Sequence, residues 1–450
     1  MTRLEPAVNL KEMAQTLDAE PLETEGELSA FYQPGLQAAR GVDRMGRIRL
    51  GLGDALDSGQ NFKGFVTGHP GVGKTTELRN LLVRGEMAAR TQVLWLSVAE
   101  ELNPGALRFY DILLLILVKL VRSATDPVVV GFDDSHELAP MLARVREHMA
   151  RRWTKYLKVE NADWGGGFSL PFLKLFGNIK SGTAREQGQE EHEVAFVSEL
   201  LTLINETVQE CNRMLEKHHP GKRWVIVLDD FEKIGFAAPA MRDFFIGLRP
   251  HLQDLASHLL VMIPVWLYHS EEARLVLPPN FEYFPLPDIP VFQKDHTPDE
   301  KSLAALESVV LSRTRGNLFE EGVLRQFCIA SGGNLRDLFT LIRNAAYDAR
   351  LMGKAVIGAG EAKQAIGTLR EEYKQRLGQD LDKKLSRLRE IYQSEPKSDV
   401  QDETLYALLK QRCVLQYNGE AWKGVHPLVV DLLAEFQTLT EAAPAGGTHA

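Results

Sequence analysis

Gly68-His69-Pro70-Gly71-Val72-Gly73-Lys74-Thr75 follows the spacing G-x-x-x-x-G-K-[ST], in which each residue type has a task in holding a polyphosphate. The glycines let successive backbone N–H groups curl toward one point. A helix that starts at the loop adds the positive end of its dipole there. Lys74 is expected to reach the β- and γ-phosphates, and the Thr75 hydroxyl to hold Mg²⁺. Gly68, Pro70, Gly71, Val72, Gly73, Lys74, Thr75 and Thr76 form the expected phosphate-binding set. A glycine-rich turn with a chance Lys-Thr is the plain alternative. The flanks argue against it: an apolar strand over 62–67 (FKGFVT) enters the loop and a helix over 76–82 leaves it.

A second run carries acids. Residues 224–230 read WVIVLDD, apolar throughout and ending in Asp229 and Asp230. A continuous apolar run fits a strand buried on both faces of a parallel sheet. The carboxyl ends of such strands border the ligand crevice of open α/β sheets. Asp229 is expected beside the Mg²⁺ held by Thr75, and Asp230 is placed to polarise an attacking water. Glu232 is a second candidate for that last task. The alternative is that the two aspartates only cap the next helix.

The elements that must position these residues alternate in the order of a doubly wound α/β sheet of about five strands. Further strands are expected over 92–98, 258–266 and, at an edge limited by prolines, 281–287. Residues 28–60 carry Arg40, Arg44, Arg47 and Arg49 on a helical stretch ahead of the first strand, a basic face that is either solvated or laid over the nucleotide. Residues 1–30 are mixed and acidic and are expected to be loosely ordered. The run ILLLILV over 112–118 lies between Asp111 and Lys119, too short to span a bilayer, and is expected as a buried helix. Residues of about 123–190 form an insertion with Gly165-Gly166-Gly167 as a turn. From 301 onward helices dominate. Near the C-terminus a helix over 402–412 precedes a hairpin whose turn is Asn418-Gly419, and a last helix follows from His426.

Composition narrows the function. The 450 residues carry a net charge of −9, so no whole-chain basic field exists to bind nucleic acid. Three widely spaced cysteines and no signal-like N-terminus fit a reducing cytoplasm and no disulfide framework. No membrane partner and no structural metal are expected.

The order of loop, acid-ended strand, strand ending in Ile263-Pro264, helical region and helix–hairpin–helix resembles the AAA+ and STAND branch of P-loop ATPases. Within that branch it is similar to origin-recognition initiators and archaeal-type STAND ATPases over residues of about 40–430. The resemblance implies an N-terminal segment (1–39), an ATPase core (40–295), a helical lid (296–375), a winged-helix-like domain (376–437) and a disordered tail (438–450). Gly333-Asn334-Leu335-Arg336 is similar to a sensor 2 motif, which implies that Arg336 contacts the γ-phosphate and completes the catalytic set with Asp230 and Glu232. ATP and Mg²⁺ are the implied cofactors, adenine following from the family and from the lack of N-K-x-D. In such folds a polar residue at the far end of the fourth strand touches the γ-phosphate; Tyr268, His269 and Ser270 are the local candidates. Arg274 lies in the region of an arginine finger, although its neighbours do not match one. Asp230 stands where AAA+ proteins usually carry Glu, which favours the STAND side. The resemblance implies an ATP-driven molecular switch that regulates a partner protein, in signalling or anti-phage defence, with homo-oligomers open. The alternative is an initiator that grips duplex DNA through the winged helix.

Overall fold

A computed structural model describes residues 4–103, 107–133, 136–141, 143–145, 147, 190–235, 238–270, 273–315, 317–394, 400–417 and 422–442. Most of the insertion with its triple glycine, and the Asn418-Gly419 turn, lie outside these residues.

Five parallel strands form the central sheet: β1 (Lys63–Thr67), β2 (Thr91–Ser97), β3 (Arg223–Asp229), β4 (His258–Ile263) and β5 (Glu282–Pro285), in the order β2-β3-β4-β1-β5. This is the α/β P-loop NTPase fold, with a helical lid and a C-terminal region beyond it. The two central strands are buried along nearly their whole length, because helices cover both faces. Their side chains sort by parity. Ile226, Leu228, Leu259, Val261 and Ile263 join a core with the helices Phe109–Ala124, Glu190–His218 and Ala238–Asp254. Val225, Val227, Leu260 and Met262 turn the other way, onto Met45, Ile48 and Leu52 of the helix Arg44–Ser58 and Leu78 and Leu82 of the helix Lys74–Val83. Every residue of the ILLLILV run is buried, and all but Val118 join the first of these cores. No helix among the described residues is long and apolar enough to cross a membrane.

β4 is shorter than its apolar run suggests. It stops at Ile263, and Pro264 opens the helix Val265–His269, because proline fits ahead of a helix and lacks the N–H that a ladder needs. β5 lies at the sheet edge and pairs with β1 alone.

The N-terminal expectation fails. Residues 4–39 are built into the molecule, with helices Leu10–Thr16, Glu25–Phe31 and Gly35–Ala39. Leu10, Met13 and Leu17 form an apolar stripe buried against the helix Leu335–Leu351. Asn9 caps the first helix, and Thr24 with Glu27 makes a capping box on the second. Acidic composition hid a stripe of only three apolar residues. Each contributes roughly 1.5–3 kcal/mol on burial.

Beyond the sheet, helices Glu300–Leu311, Val323–Ala330, Leu335–Leu351 and Ala359–Leu377 make the lid. Helices Leu381–Tyr392 and Glu403–Lys410, the antiparallel pair β6 (Val414–Tyr417) and β7 (Trp422–Val425), and the helix Pro427–Ala442 follow. The last helix continues past residue 438. Lid, hairpin and the N-terminal helices Leu10–Thr16 and Gly35–Ala39 share one hydrophobic core.

Candidate nucleotide site

β1 delivers the chain to the glycine loop, and Lys74 is the first residue of the helix that leaves it. Gly71 and Gly73 have φ of 85° and 99°, which side-chain-bearing residues avoid. At Gly71 space also forbids a side chain: an added Cβ would lie 2.4 Å from Asn334 Oδ1.

Two carbonyls of the loop are drawn outward. Asn334 Nδ2 donates to Pro70 O at 2.8 Å, and Arg40 Nη2 donates to Val72 O at 2.6 Å. In a trans peptide the C=O and the following N–H point in opposite directions. Gly71 and Gly73 N–H are therefore turned away from Asn334 and Arg40. Arg40 is fully buried and held by Glu77 Oε1 at 2.6 Å, while Glu77 Oε2 accepts from the Tyr32 hydroxyl at 2.8 Å. Burial and the Glu77 charge push the Tyr32 hydroxyl well above its usual range. Of the four arginines noted in the sequence, Arg40 alone serves the loop by a hydrogen bond. Arg44 donates to Pro285 O at 3.2 Å, and Arg49 lies 3.9 Å from Glu86. Thr76 Oγ1 accepts from Leu22 N at 3.2 Å, which ties the N-terminal segment across the loop.

Lys74 Nζ donates to Gly68 O (2.9 Å), His69 O (3.2 Å) and Glu232 Oε1 (3.1 Å). Thr75 Oγ1 donates to Asp229 Oδ2 at 3.0 Å, which joins the two expected metal ligands although 154 residues separate them. Asp229 Oδ1 accepts from Asp230 N at 2.6 Å. Asp230 has φ 67°, and its carboxylate accepts from the Ser97 hydroxyl at the end of β2 and from Lys233 Nζ at 2.9 Å. Asp230 stands at the N-cap of the short 3₁₀ helix Phe231–Ile234, but its side chain makes no capping hydrogen bond. The Glu232 Oε2 atom is buried without a hydrogen-bond partner among the described residues.

Burial, then the charges of Asp230 and Glu232, push the Asp229 carboxyl up to about 6. A raised acid favours the folded state below its unfolded value, near 3.8, and this contribution disappears as pH rises through about 6. Asp229→Asn should therefore stabilise the nucleotide-free protein at pH 8, by on the order of 2 kcal/mol, and bring no gain at pH 4. Thermal unfolding at the two pH values checks this; equal shifts at both would remove the electrostatic cause.

One cleft is lined by Gly71, Gly73, Lys74, Thr75, Thr76, Asp230, Glu232 and Arg336. Tyr32, Arg40, Glu77, Lys233 and Arg313 line it as well. Arg336 stands in the first turn of Leu335–Leu351, capped by Asn334, and makes no ion pair among the described residues. Tyr268, His269 and Ser270 stay out of the cleft: His269 bonds to Gln416 at 2.9 Å and Ser270 to Leu267 O. The Arg274 side chain lies outside the described residues. Sequence reasoning missed Tyr32, Glu77, Ser97 and Lys233. Ser97 alone had a signal, its place at the carboxyl end of a strand.

Scanned against known protein families, the chain matches none, and no curated protein is similar to it in sequence. Solved structures do resemble it in shape. Cdc6p from Pyrobaculum aerophilum has 14% identity and a TM-score of 0.41, over 95% of this chain and 97% of that one. The ORC2 protein of Aeropyrum pernix, in ADPNP-ADP complexes, has 14% identity and a TM-score of 0.41, over 95% and 98%. A Walker-type ATPase of Pyrococcus abyssi has 13% identity and a TM-score of 0.43, over 93% and 99%. At identities and TM-scores this low, the fold rests on the strand order and the glycine loop described above.

Proposed function

We propose that this chain binds ATP with Mg²⁺, hydrolyses it slowly, and acts as a switch whose lid follows the nucleotide. The observation that carries this reading is convergence. A glycine loop with its lysine, the acids Asp230 and Glu232 just after β3, and Arg336 of the lid, which has no ion pair among the described residues, meet at one cleft, and Asp229 joins Thr75 beside it. Lys74 would exchange Glu232 for the β- and γ-phosphates. Thr75 and Asp229 would hold Mg²⁺. Among the described residues no cluster of three or more acidic, His or Cys side chains makes a cage of its own, so phosphate and water would complete the shell. The surplus of acids that raises Asp229 suits a divalent ion. When bound, the ion would neutralise charge on the phosphates. Asp230, oriented by Ser97 and Lys233, would accept a proton from the attacking water. Binding of a labelled ATP analogue and phosphate release, each with and without Mg²⁺, test the reading; absence of binding by folded protein would overturn it.

Arg336 is the proposed link between nucleotide and lid. A ligand shifts an equilibrium only by contacting one state more than the other, and Arg336 is a lid cation at the loop. Arg336→Ala should keep binding but leave the lid equally mobile with ATP and with ADP. Hydrogen exchange across residues 301–350 reads this. Persisting ATP-specific protection in the variant would move the sensor elsewhere.

The finer reading is a regulator of a partner protein, in signalling or anti-phage defence, with the lid and the C-terminal region as its moving parts. Its support is that the helix Glu403–Lys410 and the hairpin are hydrogen-bonded to the core, through Leu409 and Gln416. The other reading, a DNA-gripping initiator, is favoured by the helix–hairpin–helix order around β6 and β7. A steep fall of duplex-DNA affinity with salt would support it.

A further inference from the structure

His69, the second residue of the glycine loop, is 1% exposed, and both its ring nitrogens face acceptors. Nδ1 lies 2.6 Å from Asp288 Oδ2, and Nε2 lies 3.1 Å from Leu409 O. A carbonyl oxygen and a carboxylate can only accept. A ring with a single proton would leave one nitrogen lone pair against an oxygen lone pair, in a site without water access. Both contacts are satisfied only when the His69–Asp288 pair holds one extra proton, whichever of the two atoms it sits on. Leu409 lies in the last turn of the helix Glu403–Lys410, where partial negative charge gathers and favours a cationic ring.

Asp288 extends the connection. Its Oδ2 also accepts from Gln416 N at 3.2 Å, and its own N–H donates to Gln416 O at 2.8 Å, so β6 is joined to the same carboxylate. The loop is thereby tied through one residue to both the last helical turn and the hairpin of the C-terminal region. Lys74 Nζ bonds the His69 carbonyl, which carries the connection to the phosphate-binding lysine.

We propose that the His69–Asp288 pair is a proton-held latch that positions the glycine loop and docks the C-terminal helix and hairpin on it. Charged and titratable groups face the pair from each packed element. Lys74 approaches from the loop helix, His269 from the helix after β4, Arg412 from the turn before β6, and Tyr417 from β6. The residue before the last helix, His426, also feels the Asp288 charge. Loss of the shared proton removes a charge-assisted bond and loosens docking. The glycine loop is the one assigned to ATP above, but docking is measured without nucleotide, so failure of the latch and failure of the ATP reading are separable.

Asp288→Asn is the informative variant. The amide N–H₂ can donate to Nδ1 of a neutral ring, whose Nε2–H still meets Leu409 O, so this contact no longer needs the extra proton; the amide nitrogen cannot accept from Gln416 N as Oδ2 does, which lowers protection equally at every pH. Hydrogen exchange over residues 403–417 of the full chain is read at pH 6 and pH 9 and corrected for intrinsic rates. Protection in the native protein should fall roughly tenfold or more at pH 9, the scale of one charge-assisted hydrogen bond. In Asp288→Asn it should be equal at the two pH values. His69→Gln has no ring to titrate and should also be flat, which keeps the test open if the first variant does not fold. A native protein with equal protection at both pH values, or either variant keeping the native slope, overturns the latch.

Discussion

Lys74→Ala should weaken binding of an ATP analogue roughly hundredfold or more, because charge-assisted hydrogen bonds are worth about 1.5–3 kcal/mol each and Lys74 would make more than one to the phosphates. The structure adds a qualification to the experiment. Lys74 is buried and pairs with Glu232, so its removal leaves that carboxylate without a counter-charge. Affinity is therefore compared in protein whose thermal unfolding shows it folded. Adding Glu232→Gln to Lys74→Ala should restore stability without restoring affinity. If folded Lys74→Ala binds like the native protein, the loop is not a phosphate site.

Asp230→Asn should leave affinity nearly intact and slow phosphate release about hundredfold, the usual worth of a general base. Asparagine tolerates the left-handed backbone that Asp230 adopts, at φ 67°, so the substitution tests the carboxylate rather than the turn. It also leaves Lys233, which is 43% exposed and can turn to solvent, at little cost to the fold. Glu232→Gln is the control that assigns the role. Glu232 holds Lys74 and keeps one oxygen unpartnered among the described residues, so it is a second carboxylate at the cleft able to accept a proton. Single-turnover hydrolysis in the two variants decides between them; a native rate in Asp230→Asn moves the base to Glu232.

What the sequence disclosed follows from the range of the physics. The glycine loop was legible because its backbone conformation, its lysine and its hydroxyl are set by neighbours within eight residues. β3 and β4 were legible because burial on both faces leaves a continuous apolar run. The junction of Thr75 with Asp229 followed from those two elements together. The bracing of the loop was not legible. Arg40 meets Val72 across 32 residues, and Asn334 meets Pro70 across 264. Arginines spaced along residues 40–49 looked alike until packing buried Arg40 and left Arg49 near the surface. The N-terminal helices escaped notice because their stripe is short and gains its partner only when the lid helix lies beside it. His69 had no local signal of any kind.

The loop's dependence on distant partners has a consequence for how the protein is made. One of its carbonyls and its histidine are held by residues 264 and 340 positions further along the chain. A nascent chain that has just completed the central sheet already carries the glycines and Lys74, but Asn334 and Leu409 have not yet been synthesised. Contacts of this length form late, since the closure entropy of the intervening chain must first be overcome. The loop thus acquires its finished frame only after residue 409 has been synthesised, when the helix Glu403–Lys410 closes on it. Truncation anywhere before residue 409 leaves a loop with the right sequence and an incomplete frame.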